Sequence, residues 1–195
     1  MSMIRYIISA SLLMTSQWLY AADKALPTYV MTTDLGPVVI ELYPDHAPIT
    51  VKNFQAYIDA GFYNGTIFHR VIPGFVAQGG GYTIDFIKKQ TLAPIKNESV
   101  GGLNNDAWTL SMARTSAPDS ATSQFYINLQ NNPHLNSKNE RAGYTVFGKV
   151  IEGYDVIKKL VDEPRGMTRD FPEAPISPVR ILTVEALKPV TESKD

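Results

Sequence analysis

Val38, Ile40 and Leu42 alternate with Val39, Glu41 and Tyr43, a period of two that suits an extended strand with one buried face. Tyr29–Thr33 precedes this run across the turn Asp34-Leu35-Gly36, so the two read as a hairpin. The same short, turn-bounded rhythm returns along most of the chain. Thr66–Val71 is broken by Pro73-Gly74 and resumes as Phe75–Gln78, and Trp108–Ala113, Gln124–Leu129, Tyr144–Val150 and Val179–Leu187 follow. Helical spacing appears twice. Pro48 suits a first helical turn, Val51, Phe54 and Ile58 recur three and four residues apart, and Gly61 provides a stop. Tyr154–Val161 carries Val156, Ile157, Leu160 and Val161 on one side. Gly79-Gly80-Gly81 reads as the opening of a looser region reaching about Asp106, and the proline-rich stretch Pro164–Pro178 reads as a loop. About eight short strands with no strand–helix–strand alternation predict an all-β sandwich or barrel, with the two helices as plugs.

The 195 residues suffice for one well-cored domain. With 44% hydrophobic and 19% charged residues, the chain has the composition of a globular protein rather than a disordered one. A net charge of −1 without a basic stripe excludes nucleic acid as an expected partner. The absence of cysteine excludes disulfides, thiolate nucleophiles and cysteine-ligated metals. His46, His69 and His134 lack metal-ligand spacing, and the serines form no nucleophile elbow, so neither a metal, a cofactor nor hydrolase chemistry is expected. No coiled-coil seam is visible, which predicts a monomer.

Residues 1–21 differ from the rest. Arg5 is followed by the apolar stretch Tyr6–Leu19 and the small residues Ala21 and Ala22, the order of a secretory signal peptide cut after Ala21 or Ala22. An uncleaved membrane anchor is the competing reading, but a span needs about 20 predominantly apolar residues and this stretch contains Ser9, Ser11, Thr15, Ser16 and Gln17. The expected organisation is a signal over 1–21, one domain over 27–188 and a polar tail over 189–195. The mature protein is expected outside the cytoplasm without stable membrane insertion, in the periplasm if the source has two membranes.

Phe68-His69-Arg70-Val71-Ile72-Pro73-Gly74-Phe75-Val76-Ala77-Gln78-Gly79-Gly80 resembles the signature of the cyclophilins. Leu110-Ser111-Met112-Ala113-Arg114 with Ser123-Gln124-Phe125-Tyr126-Ile127, and then Val146-Phe147-Gly148-Lys149-Val150, resemble two further blocks of that family in the same order. The resemblance covers roughly Pro27–Leu187. Ala113-Arg114-Thr115 and Asp119–Gln124 look most like bacterial exported members. It implies a closed eight-stranded antiparallel β-barrel capped by two α-helices, and a peptidyl-prolyl cis/trans isomerase acting on unfolded or flexible proline-containing polypeptides during folding of exported proteins. A proline-peptide binding module or holdase with incidental catalysis is the alternative.

Rotation about an X–Pro amide meets a barrier of about 18–20 kcal/mol, and turnover near ~10³ s⁻¹ needs it lowered by roughly 7 kcal/mol. The site must hold the twisted amide better than either planar isomer. Arg70 is the residue the resemblance makes catalytic, with a planar donor fork that hydrogen-bonds the substrate around its prolyl amide. One charge-assisted bond contributes about 1.5–3 kcal/mol, so an apolar, water-excluding pocket must supply the rest. The family pattern puts that pocket at Phe75, Val76, Tyr126 and Leu135, with Val76 in place of the usual methionine and Tyr126 in place of phenylalanine. The Tyr126 hydroxyl is expected to reach either water or a partner. Gln78 and Gln124 are expected to orient Arg70 and bond the substrate backbone, and Ala113 and Arg114 to bind substrate along the main chain. His134 stands where many relatives carry tryptophan, and Tyr144 where they carry an active-site histidine. Strand alternation puts His69 on the face opposite Arg70, as a structural hydrogen-bonding residue, and Phe125 in the core.

Overall fold

The computed structural model describes residues 25–187. Its strands are β1 (Thr28–Thr33), β2 (Gly36–Leu42), β3 (Thr66–Ile72), β4 (Val76–Thr83), β5 (Thr109–Met112), β6 (Phe125–Asn128), β7 (Val146–Glu152), β8 (Arg165–Thr168), β9 (Phe171–Pro175) and β10 (Arg180–Ala186). Eight of them close into an antiparallel barrel in the order β1-β10-β3-β4-β6-β5-β7-β2, so no barrel strand is left with an unpaired edge. The helices are α1 (Pro48–Asp59) and α2 (Tyr154–Asp162). The fold is the expected eight-stranded barrel with two helices. The predicted signal region 1–21 and the tail 189–195 lie outside the described residues.

The period-two pattern became the wall as read. Val38, Ile40 and Leu42 are fully buried, whereas their neighbours on β2 are partly open. β1 and β2 meet at Thr33 opposite Gly36, leaving Asp34 and Leu35 as the turn. The Asp34 carboxylate grips Arg180 in a fork, Nη2 to Oδ1 at 2.8 Å and Nε to Oδ2 at 3.0 Å, and also accepts the Arg180 backbone N–H. That pair ties the first hairpin to the start of the last strand, where the barrel closes. Helix α1 begins at Pro48 but has no capping side chain of its own. Glu98 provides one from the long loop, accepting the Ile49 and Thr50 N–H groups and the Thr50 hydroxyl at 2.7–3.0 Å. Phe54 of α1 sits among Tyr63, Phe125 and Phe147, at centroid distances of 4.9, 5.6 and 5.0 Å. Phe125 is fully buried there, a core residue as expected.

Two loop assignments need correction. The glycine run Gly79–Gly81 is not the start of a loose region, because β4 continues through it to Thr83. A Cβ on Gly80 (φ +79°) would stand 2.9 Å from Phe125 and Tyr63, and one on Gly81 would overlap Gln124. Glycine marks close approach of side chains to the strand here, not a turn. Pro164–Pro178 is likewise not a loop throughout. It holds the hairpin β8–β9, which turns at Arg169-Asp170 between the paired Thr168 and Phe171. Pro172 fits β9 because a two-stranded ribbon leaves an open edge that needs no donor there.

Candidate active site

One row of directly opposed residues crosses the barrel wall. Arg70 on β3 faces Gln78 on β4, Gln78 faces Tyr126 on β6, and Tyr126 faces Ser111 on β5. Opposed residues project to the same side of a sheet, so four strands bring this row to one face. A β-bulge directs its first member. Phe68 pairs with Gly79 and Arg70 with Gln78, so β3 spends two steps where β4 spends one. Phe68 and Val71, three residues apart, both enter the core, and His69 and Arg70 between them turn outward. The expectation that His69 faces away from Arg70 is thus wrong, since the extra residue interrupts the alternation.

The hairpin β8–β9 lies over that bulge. Phe171 and Glu173, two apart on β9, meet the two outward residues of β3. Phe171 covers His69 at 5.6 Å, and Glu173 Oε2 accepts from Arg70 Nε at 3.2 Å. His69 is 4% exposed, packed also against Tyr82, and its Nδ1 has no hydrogen-bond partner. It is enclosed by aromatic rings, with the Ile67 backbone and the Gln124 side chain as its polar neighbours. Burial holds its pKa down to about 4; the Arg70 charge adds to this, while the Ile67 carbonyl and Gln124 oppose it. The imidazole is therefore neutral at pH 7.

A cleft of about 160 Å³ opens beside Arg70, lined by Phe75, Val76, Ala113, Leu135 and Tyr126 among others. Arg70, Gln78, Arg114 and Tyr144 complete the lining, so nine residues anticipated from the sequence converge on one cavity. Two stand outside it. Gln124 accepts from Gln78 Nε2 at 3.0 Å and so sits behind it. His134 stacks on the outer side of Phe75 at 5.5 Å. Neither glutamine bonds Arg70: its side-chain hydrogen bond goes to Glu173, and its guanidinium carbon lies 5.9 Å from the centre of the Phe75 ring. Among the described residues, the two Nη groups of Arg70 make no hydrogen bond within the protein. The fork is anchored at its base and open at its tips.

The Tyr126 hydroxyl has its partner in Asn105, at 2.9 Å. Burial pushes this phenol's pKa far up, so it acts as a neutral donor. Asn105 Oδ1 also accepts from Ser111 and from Asn128, and Asn105 Nδ2 donates to Asn136 Oδ1 and to the Tyr144 carbonyl. It links the cleft floor to the segments carrying Leu135 and Tyr144. Neither Asn105 nor Glu173 was singled out from the sequence. Both lie in stretches read as loop, and only the unpaired hydroxyl of Tyr126 hinted at one of them.

The closed antiparallel barrel thus carries on its outer wall a cleft with apolar walls at Phe75, Val76, Ala113 and Leu135 and with the Arg70 guanidinium beside it, and no serine, threonine, aspartate or glutamate is in its lining. Residues 28–186 match the family model for cyclophilin type peptidyl-prolyl cis-trans isomerase/CLD. The chain belongs to that family, and is an enzyme of the peptidyl-prolyl cis-trans isomerase class. It is 51% identical over 164 residues to a peptidyl-prolyl cis-trans isomerase of Acinetobacter baylyi, covering 84% of this chain and 87% of that protein. It is 45% identical to peptidyl-prolyl cis-trans isomerase A of Dickeya dadantii, covering 82% and 84%. Among solved structures, a cyclophilin type isomerase of Cryptosporidium parvum superposes with a TM-score of 0.69 at 28% identity, covering 84% of this chain and 99% of that one.

Proposed function

We propose that this isomerase acts on X–Pro bonds of unfolded or flexible exported polypeptides, as a monomer and without a cofactor. The observation that carries the reading is the position of the Arg70 tips, free of protein partners at the mouth of the Phe75–Val76–Tyr126–Leu135 cleft. The cleft takes the proline ring and removes water from the prolyl amide. Arg70 donates to the substrate there, most strongly once the amide is twisted and its nitrogen has lost conjugation. Gln78 bonds the substrate backbone, and Gln124 acts through Gln78 as a positioning residue. Ala113 offers its main chain. Phe75 forms the outer wall, and His134 backs it.

Arg70→Ala is expected to lower kcat/KM about 10- to 100-fold, a loss of about 1.4–2.7 kcal/mol in transition-state binding. Circular dichroism should be unchanged, because the side chain is outside the core. A proline-isomerisation assay checks this, and activity within twofold of wild type overturns the assignment. Export is supported by the order of charged start, apolar stretch and small residues in 1–21. N-terminal sequencing of the protein from its source should find Ala22 or Asp23 first. Met1 intact in a membrane fraction contradicts it.

A further inference from the structure

Beside the prolyl cleft lies a larger cavity of about 470 Å³, and the two share Arg114, Leu135 and Tyr144 as a common wall. The outer wall of the second cavity is the segment 136–143. Lys138 and Arg141 there exchange backbone hydrogen bonds at 3.1 and 3.0 Å, with Asn139 (φ +49°) and Glu140 (φ +61°) between them. This is the geometry of a two-residue hairpin turn, and it sets two cationic residues directly opposite each other.

The shared wall adds a third cation. Arg114 donates from Nε to the Gly143 carbonyl at 3.0 Å, from Nη1 to those of Thr115 and Ser116 at 2.9 and 3.4 Å, and from Nη2 to that of Ala142 at 3.0 Å. Its guanidinium lies 4.5 Å from the centre of the Tyr144 ring. Every acceptor is a neutral carbonyl, so the group is fixed in place while its charge is not neutralised. One N–H on Nη2 is left over.

No Asp or Glu lines this cavity. Glu140 stands at the tip of the turn, and among the described residues Arg114, Lys138, Arg141 and Glu140 enter no ion pair. Like charges opposed across a turn repel, and a concave surface of one sign concentrates its field. Both effects are relieved by a carboxylate in the cavity.

We propose that this cavity is a subsite for an Asp or Glu side chain of the same polypeptide whose proline occupies the adjoining cleft. The proposal rests on the isomerase reading above and gives that site a substrate class: proline-containing segments with an acidic residue nearby. The shared wall limits the separation to about three residues of extended chain, at ~3.3 Å each.

The test is a set of peptides with one proline and a single Glu at each of three positions before and after it, each matched by a Gln peptide. At low ionic strength, wild-type kcat/KM should be about three- to tenfold higher for Glu than for Gln at one or two adjacent positions on one side. Salt should reduce that ratio, and the double variant Lys138→Gln/Arg141→Gln should bring it to about one. Turnover of the Gln peptides reports the isomerase reading separately, because a protein inactive on all peptides fails that reading first. Equal turnover of Glu and Gln peptides overturns the subsite. So does an equal preference at all six positions, which is long-range attraction, or a ratio that persists in the double variant.

Discussion

Arg70 and His69 are neighbours with opposite electrostatic duties. Arg70 keeps its charge at the mouth of the cleft, while His69 behind it is neutral and almost fully buried. A histidine held at about 4 when folded and near 6.5 when unfolded leaves stability intact above pH 6.5. As pH falls from 6.5 toward 4 the unfolded chain takes up a proton that the folded protein does not, and stability declines. Below about pH 4 both states are protonated and the loss levels off at about 3 kcal/mol. Urea unfolding across pH 7 to 4 should therefore show a slope approaching one proton in this window. His69→Gln should lack that part of the slope, whatever its absolute stability. Parallel profiles for the two proteins contradict the buried neutral assignment.

Among the elements, the hairpin β8–β9 is the one that reaches the site from outside the barrel strands to hold both outward residues of β3. It lies outside the barrel, yet its alternation sets Phe171 on His69 and Glu173 on Arg70. The Arg70–Glu173 pair is exposed by 36% and 42% on its two sides, so its own strength is at most about 1 kcal/mol. Glu173→Gln should accordingly reduce kcat/KM by no more than about fivefold, through a looser Arg70, with the effect shrinking in high salt. A loss as large as that of Arg70→Ala would give Glu173 a direct part in the reaction. The 3₁₀ turn Pro133–Leu135 and the loop residue Asn105 act similarly, as parts outside the barrel strands that fix cleft residues through hydrogen bonds.

At the scale of the molecule, closure of the barrel makes the wall rigid, and α1 completes its core. Phe54 joins the helix to β6 and β7 through Phe125 and Phe147. Phe125 also follows Gln124, the residue behind Gln78, so core and site share one short segment. Asn53 of α1 holds that segment by donating to the Thr122 carbonyl at 2.7 Å, and Tyr63 does so by donating to that of Ser123 at 2.9 Å. Phe54→Ala should cost about 3–5 kcal/mol in chemical denaturation, and the milder Phe54→Leu about 1–1.5 kcal/mol if the alanine variant does not fold. Changes below half these values mean that the aromatic cluster is not where the helix is fastened.

The sequence by itself determined the wall, the helices and the identity of the cleft residues. Alternation at Val38, Ile40 and Leu42, the spacing of Val51, Phe54 and Ile58, and the block Phe68–Gly80 are local records, because strand, helix and turn preferences act over a few residues. The lining of the cleft by Phe75, Val76, Tyr126 and Leu135 followed from the family resemblance of those blocks. Only the tertiary structure decided what steadies them. Register is a relation between strands, so the bulge that turns both His69 and Arg70 outward could not be read from β3 alone. Glu173 meets Arg70 across 103 positions and Glu98 caps α1 across 48 and 49, separations at which no local pattern survives. Gly79–Gly81 looked like punctuation because their function is to make room for side chains that arrive from elsewhere in the chain.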